Sequence, residues 1–481
     1  MRDFFVGVSY SNPFLFVFAF LFFISLSFIL SPLFLIASLF VFALGFHFNK
    51  KLLPVFVFFA LLFFLFFVRG LKHSICENPR KGVITNISEG KRLNLMVKSE
   101  GCRLYLFVSP RYRGLRVGEI ITFRAKLKSV RTVKSKGFSN YLRSLSVAWV
   151  GYAGRIRVVG ESQPLSFFNR IRSGIEREFH YFLPSRVEYF LSSAILGDSR
   201  FRSKIKREFI NTQTAHIMAV SGLHMGFVFG MFYLLFYYLF SLVGYIYRRF
   251  NLKVVASLVA FLPTLIYFSI SGLHIPAIRS FLMIVLFVLS LIFSKARSSL
   301  NILFLIASLF ISINYLAIMN PSFVMSFLMT FFALMLYSPL KKANLNKTLK
   351  TFVFMLLMSL LAMPISSYYF GRISPISVAA NLVAVPLFGF VVVPISFVGI
   401  FASFLPYSIV KIYIFKVVSL VGLGFLKIIA FFSSLAAPVD IKLNLTVVLA
   451  IYFSATVLLV MVDKHLLHQG NQPQTLRRIS F

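Results

Sequence analysis

The stretch "HIMAVSGLHMG", His216 to Gly226, sets two histidines, a serine and two glycines at the mouth of a long apolar run. Such side chains could ligate a metal or activate a hydroxyl nucleophile, but neither chemistry fits the spacing. On a straight helix, residues eight apart lie about 12 Å and about 80° from each other. His216 and His224 could therefore share an ion only if the Ser221-Gly222 step broke the helix. "AVSGL" lacks the first glycine of a strained nucleophile elbow, and no acid lies nearby to orient a histidine. What remains is a helix start at which Gly222 permits close backbone approach while Ser221, His216 and His224 face a cavity or a neighbouring helix. Plain polar packing between helices is the competing reading. A second cluster, "SISGLHIPAIRSFLM", repeats Ser-Gly-Leu-His at Ser271 to His274 and adds Arg279, a cation that should face water, a partner or a polyanion rather than lipid. A third, "GRISPISVAANLVAVP", sets Arg372, Asn381 and Pro386 in a segment expected to be too broken for an uninterrupted helix, and irregular backbone at membrane depth lines cavities or is covered by protein.

The rest of the chain must position these clusters. Apolar residues make up 59% of the 481, with 62 Phe and a mean hydropathy of +0.87, far outside the range of soluble globular domains. The fold class expected is a polytopic α-helical membrane protein. Candidate spans cover 14–31, 33–48, 52–68, 224–246, 254–271, 278–294, 301–318, 322–338, 352–369, 387–404 and 444–462. A second span follows the first after only Ser31 and Pro32, so a cleaved signal peptide is not expected. Residues 409–434 are apolar but carry Lys411, Lys416 and Lys427, which favours an amphipathic helix in the interface over a crossing. Basic short loops at Lys50/Lys51, Arg248/Arg249, Lys295/Arg297 and Lys341/Lys342 alternate with nearly uncharged ones, which puts the N-terminus in the cytoplasm and the segment after Val68 outside.

Residues 72–163 read differently, with period-two alternation in "RLNLMVKS", "CRLYLFVS" and "EIITFRAKLKSV". A small β-domain is expected there, inserted after the third helix, with 19 Lys and Arg against 5 Glu. Lys91, Arg92, Lys98, Arg103, Arg111 and Arg113 are its candidate contacts to nucleic acid, because clustered cations release counterions from phosphates. A solvated basic surface, or one drawn to anionic lipid, would carry the same charge. Both cysteines of the chain, Cys76 and Cys102, fall in this insert, which suggests a disulfide in an oxidising compartment, with two buried thiols as the alternative. The remaining boundaries are N-terminal helices over 1–71, amphipathic connecting helices over 164–215, the main helical region over 216–463 and a cytoplasmic tail over 464–481.

Between Glu208 and Asp440 there is no acid, while the same interval holds Arg279, Arg372, Lys411 and further cations. Cation-coupled transporters and two-metal enzymes need carboxylates in the bundle, so this region suits the passage of an anion. No phosphate-binding GxxxxGK[ST] loop is present, and no cofactor, metal or catalytic residue is expected.

In their order along the chain, "AILGDSRF" (Ala194 to Phe201), "HIMAVSGLH", "GLHIPAIRSFLM", "NPSFVMSFLMTFFAL" and "NLVAVPL" resemble the signature of the ComEC family of competence proteins. "GFSNYL" at Gly137 to Leu142 is similar to the end of that family's outward-facing OB-fold domain. The resemblance implies an inner-membrane channel that passes single-stranded DNA during natural transformation, with Asp198, His216, Ser221, Gly222, His224, His274, Arg279, Arg372, Asn381 and Pro386 in the translocation region and no enzymatic role. It also implies partners besides the lipid bilayer: a periplasmic DNA-binding protein and a cytoplasmic motor or single-strand-binding protein. No metallo-β-lactamase-like domain follows the last span, a departure from many members, so a separate nuclease would degrade the other strand. The alternative reading of the same features is a transporter for another anion, such as a glycan or lipid phosphate.

Overall fold

The computed structural model describes residues 13–29, 33–48, 53–72, 79–89, 93–99, 102–112, 115, 117–133, 136–197, 199–200, 203–243, 250–272, 275–292 and 299–470. They form two compact units. The first comprises 1–207, 215–324 and 387–427, and the second 208–214, 325–386 and 428–481.

Three apolar helices open the first unit, α1 (Pro13–Ile29), α2 (Leu33–Phe48) and α3 (Leu53–Lys72). Phenylalanine packs them: the Phe20, Phe42 and Phe56 rings meet pairwise at 5.1–5.8 Å, two of the three contacts edge to face. The β-domain follows as β1 (Lys81–Glu89), β2 (Leu93–Ser99), β3 (Cys102–Val108), β4 (Glu119–Ser129) and β5 (Val147–Glu161), with a helix α4 (Lys136–Ser144) between the last two. Strand order β2-β3-β5-β4-β1 closes on itself through a β1–β2 ladder, so the expected small β-domain is a five-stranded barrel. Alternation dictates its core. Leu93, Leu95 and Val97 of β2 and Leu104, Leu106 and Val108 of β3 point inward, with Ile121 and Phe123 of β4.

A helical hairpin leaves the barrel, α5 (Gln163–Phe182) and α6 (Ser185–Leu196), and the chain returns to it as β6 (Ser199–Arg200), paired in parallel with Ser88 and Glu89 of β1. Of the two connecting helices, α5 buries Ile175 and Phe179 and exposes Arg170 and Arg177, while every residue from Phe190 to Leu196 of α6 is buried. After α7 (Ser203–Asn211) and a short 3-10 turn, Ala215–Met218, come α8 (Gly222–Ser241), α9 (Leu252–Ile270), α10 (Ile275–Ile292) and α11 (Ser299–Ile313). Asn314 and Asn320 moor the barrel to this helical part, for their side-chain amides donate to the Ser144 carbonyl at 2.7 Å and to Ser144 Oγ at 3.1 Å.

The remaining helices are α12 (Pro321–Lys342), α13 (Lys347–Phe370), α14 (Ser377–Leu387), α15 (Val393–Ser403), α16 (Ile409–Ser434) and α17 (Leu445–Gly470). In the second unit Pro364 interrupts the α13 ladder, and Tyr452 of α17 wedges in beside it. The Tyr452 hydroxyl donates to the Leu361 carbonyl at 2.7 Å and accepts from the Ile365 N–H at 3.1 Å.

Eight helices among the described residues are long and apolar enough to cross a membrane, and Ile409–Ser434 is one of them. Of the three lysines that favoured an interfacial position for it, Lys411 is buried in an ion pair with Glu178, Lys416 lies over the Tyr413 ring at 5.3 Å, and Lys427 is exposed. The segment expected to be too broken for an uninterrupted helix, residues 371–386, is non-helical from Gly371 to Ile376 and helical from Ser377 on. Residues 377–403 run as one helical stretch, because a π turn at Phe388–Val392 takes up the register that Pro386 and Pro394 disturb.

Candidate functional site

The helix does break where the two histidines part. His216 is exposed on the 3-10 turn, Ser221 is the extended N-cap of α8, and His224 sits one turn into that helix, fully buried. His224 Nδ1 accepts from the Ser221 N–H at 3.0 Å and lies 3.1 Å from Ser221 Oγ, a capping box in which imidazole replaces the usual carboxylate. A nitrogen that accepts carries no proton, so the proton sits on Nε2, which is buried and has no partner among the described residues. The His224 ring stands edge-on to Phe388 of the π turn at 5.4 Å. His224 thus shapes the start of α8 rather than lining an open surface, and among the described residues no group of three His, Cys, Asp or Glu side chains could hold a metal.

Gly222 explains the small residue at the motif's centre. A Cβ built there would lie 3.0 Å from Ser280 Oγ and 3.4 Å from Arg279 Nη2 on α10. The first two sequence clusters therefore converge, with the buried Arg279 guanidinium laid against the glycine that opens α8. Gly389 makes a similar approach, its Cβ position 3.1 Å from Leu223 Cδ1, so the π turn closes on the same helix start. Asp198 and His274 lie outside the described residues.

The third cluster belongs to the second unit. Arg372 is not a lone cation: its Nε donates to Asp440 Oδ1 at 2.7 Å, an exposed pair with the acid that ends the carboxylate-free interval. Asn381 is buried, and Ser374 Oγ, Ser377 Oγ and Asn381 Oδ1, spaced three and four residues apart, have no partner among the described residues. Pro386 lies in α14, just before the π turn.

On the barrel, Lys98 and Arg103 are exposed cross-strand partners of β2 and β3, and Arg103 donates to the Leu145 carbonyl at 3.0 Å. Arg111 lies over the Tyr112 ring and donates to the Gly154 carbonyl. Lys91, Arg92, Arg113 and Cys76 lie outside the described residues; Cys102 is buried on β3 and carries no free thiol. A denser basic stripe escaped the sequence reading. Arg124, Lys126 and Lys128 point outward from β4, opposite Arg155, Tyr152 and Val150 of β5, and exposed Tyr152 stacks on Phe107 at 5.1 Å. The signal was present in "FRAKLKS", where the cations alternate with the inward residues. Burial raises the Tyr105 hydroxyl above the ordinary tyrosine range, partly offset by a hydrogen bond from Ser88, so this aromatic group adds no negative charge beside the cations.

No curated protein and no solved structure matches the chain. A family model described as "Competence protein" matches residues 195–465, more than half of the length and all three clusters. By that match the chain, with eight helices among its described residues fit to span a membrane, belongs to the competence protein family, which ties it to DNA uptake.

Proposed function

We propose that the chain is a channel passing single-stranded DNA across the cytoplasmic membrane, with the N-terminus and the basic short loops in the cytoplasm and the barrel on the outer side. The observation that carries this reading is Arg279, a buried cation held against Gly222 among helices fit to span a membrane, in an interval without a single carboxylate. A polyanion is the cargo such a field admits. The barrel supports an OB-fold-like receiving domain through its closed strand order and its parallel β3–β5 ladder, and the β4–β5 cations with Phe107 and Tyr152 supply phosphate contacts beside a stacking surface. The chain performs no bond chemistry in this reading. A DNA-binding protein outside, a motor or single-strand-binding protein inside and a separate nuclease supply capture, pulling and strand degradation.

The test follows labelled duplex DNA in cells that lack the gene and in cells complemented with wild type or Arg279→Ala, measuring capture outside the membrane and arrival in the cytoplasm separately. Capture without arrival is expected for the deletion and for the variant at normal membrane abundance. Undiminished arrival in the deletion strain would overturn the reading and direct attention to other anions.

A further inference from the structure

The hairpin α5–α6 runs along helices that are themselves long enough to span a membrane. Phe182 stacks on Phe415 of α16 at 4.7 Å, Gly422 sits where a Cβ would strike Val187, and Phe190 stacks on Phe425 at 5.2 Å. These contacts follow α16 over about 15 Å of its middle. At the hairpin's far end the Tyr267 hydroxyl of α9 donates to the Ile195 carbonyl at 2.9 Å. These contacts set α6 alongside α16, while Arg170 and Arg177 of α5 face the turn between α15 and α16, at the end of those helices.

Its first helix is nevertheless charged. Ile175 and Phe179 form its buried face, while Arg170 and Arg177, seven residues apart and so on one side of the helix, are exposed. Charged groups at the end of a span face water, not hydrocarbon. The structure supplies the space: a cavity of about 690 Å3 between α5 and the α15–α16 turn, lined by Arg170, Arg177, Tyr181, Tyr407 and the Lys411–Glu178 pair. Arg177 has no carboxylate within ion-pair distance among the described residues, and Glu178 is already engaged by Lys411 Nζ at 2.8 Å. Cations thus dominate the wall, with two exposed tyrosines beside them, Tyr181 at 73% and Tyr407 at 70%.

Resting on the channel reading above, we propose that this cavity is a station of the conduction path, in which Arg170 and Arg177 take phosphates of the single strand while Tyr181 and Tyr407 stack its bases. It is distinct from the Gly222–Arg279 contact and falls in α5 and the α15–α16 turn, where no sequence motif pointed. Cation spacing along a helix with aromatic rings at its end is the combination that holds single strands without reading sequence. An anionic lipid headgroup is the competing occupant.

The experiment uses the full chain in cells importing labelled DNA, with a photo-crosslinking side chain at Tyr181, at Tyr407 and, as control, at Leu420, which is exposed on α16 away from the cavity. DNA adducts at the first two positions and none at Leu420 are expected. Lipid adducts alone at Tyr181 and Tyr407, while DNA still arrives, would overturn the station and leave the channel reading intact; failure of the deletion strain to lose arrival would overturn the channel reading itself. Arg170→Glu with Arg177→Glu should lower arrival by about tenfold or more with capture unchanged, and Arg170→Lys with Arg177→Lys should retain it. Equal arrival in the double glutamate variant would also refute the station. If that variant does not reach the membrane, the crosslinks in the otherwise unaltered chain decide.

Discussion

Breaking the Lys411–Glu178 pair from its two ends should have unequal consequences. The Lys411 side chain is 5% exposed and that of Glu178 31%, with Nζ 2.8 Å from Oε2. At that separation and an effective dielectric of about 20, the attraction is roughly 6 kcal/mol, most of it offset by desolvation of the lysine. Glu178→Gln leaves the buried ammonium with the Leu405 carbonyl, 3.1 Å away, as its chief partner. We expect a loss near the lower end of the range for an uncompensated buried charge, about 3 kcal/mol. Lys411→Met removes the charge that is hardest to bury and leaves a carboxylate that water can reach, at a cost of about 1 kcal/mol. The double variant should fall within about 1 kcal/mol of wild type, a coupling of roughly 3 kcal/mol. Thermal unfolding of the purified full chain in one detergent would rank wild type first, the double variant together with Lys411→Met next, and Glu178→Gln last. If Glu178→Gln melts no lower than Lys411→Met, or if the single losses simply add, the pair is not the buried contact described and the cavity wall loses its fixed corner.

Three further outcomes are expected. Gly222→Ala pushes a methyl to 3.0 Å from Ser280 Oγ, so it should cost about 1–3 kcal/mol and lower DNA arrival, while adding Ser280→Ala should restore both; failure of the rescue would show that the close approach is not what Gly222 serves. Replacing Arg124, Lys126 and Lys128 by Ala in the full chain should weaken single-stranded DNA binding and reduce the salt slope of log K by about 2, and an unchanged slope would exclude this stripe from the interface. The unreduced, denatured protein should contain no titratable thiol if Cys76 and Cys102 are bonded, and two thiols would refute the bond.

Hydropathy marked the apolar helices and alternation marked the barrel because both are local properties, written within one helix or strand. The value of Gly222 was also legible, as a small residue where helices approach. What the sequence hid were partnerships between distant segments. Lys411 suggested an interfacial helix because Glu178 lies far upstream on another element, and Arg372 looked like a pathway cation because Asp440 reaches it only through the fold. The π turn was hidden for a different reason: prolines announce a disturbed ladder but not whether the helix stops or takes up an extra residue and continues.

The hairpin has both feet on the barrel. At one foot Asn169 donates to the Val117 carbonyl at 2.7 Å and the Ser162 N–H to Gly118; at the other, β6 is stitched to β1. Such a loop behaves as a handle, unable to swivel without turning the barrel with it. A pull on the barrel would reach Arg177 and Tyr181 along the covalent chain and this strand pairing.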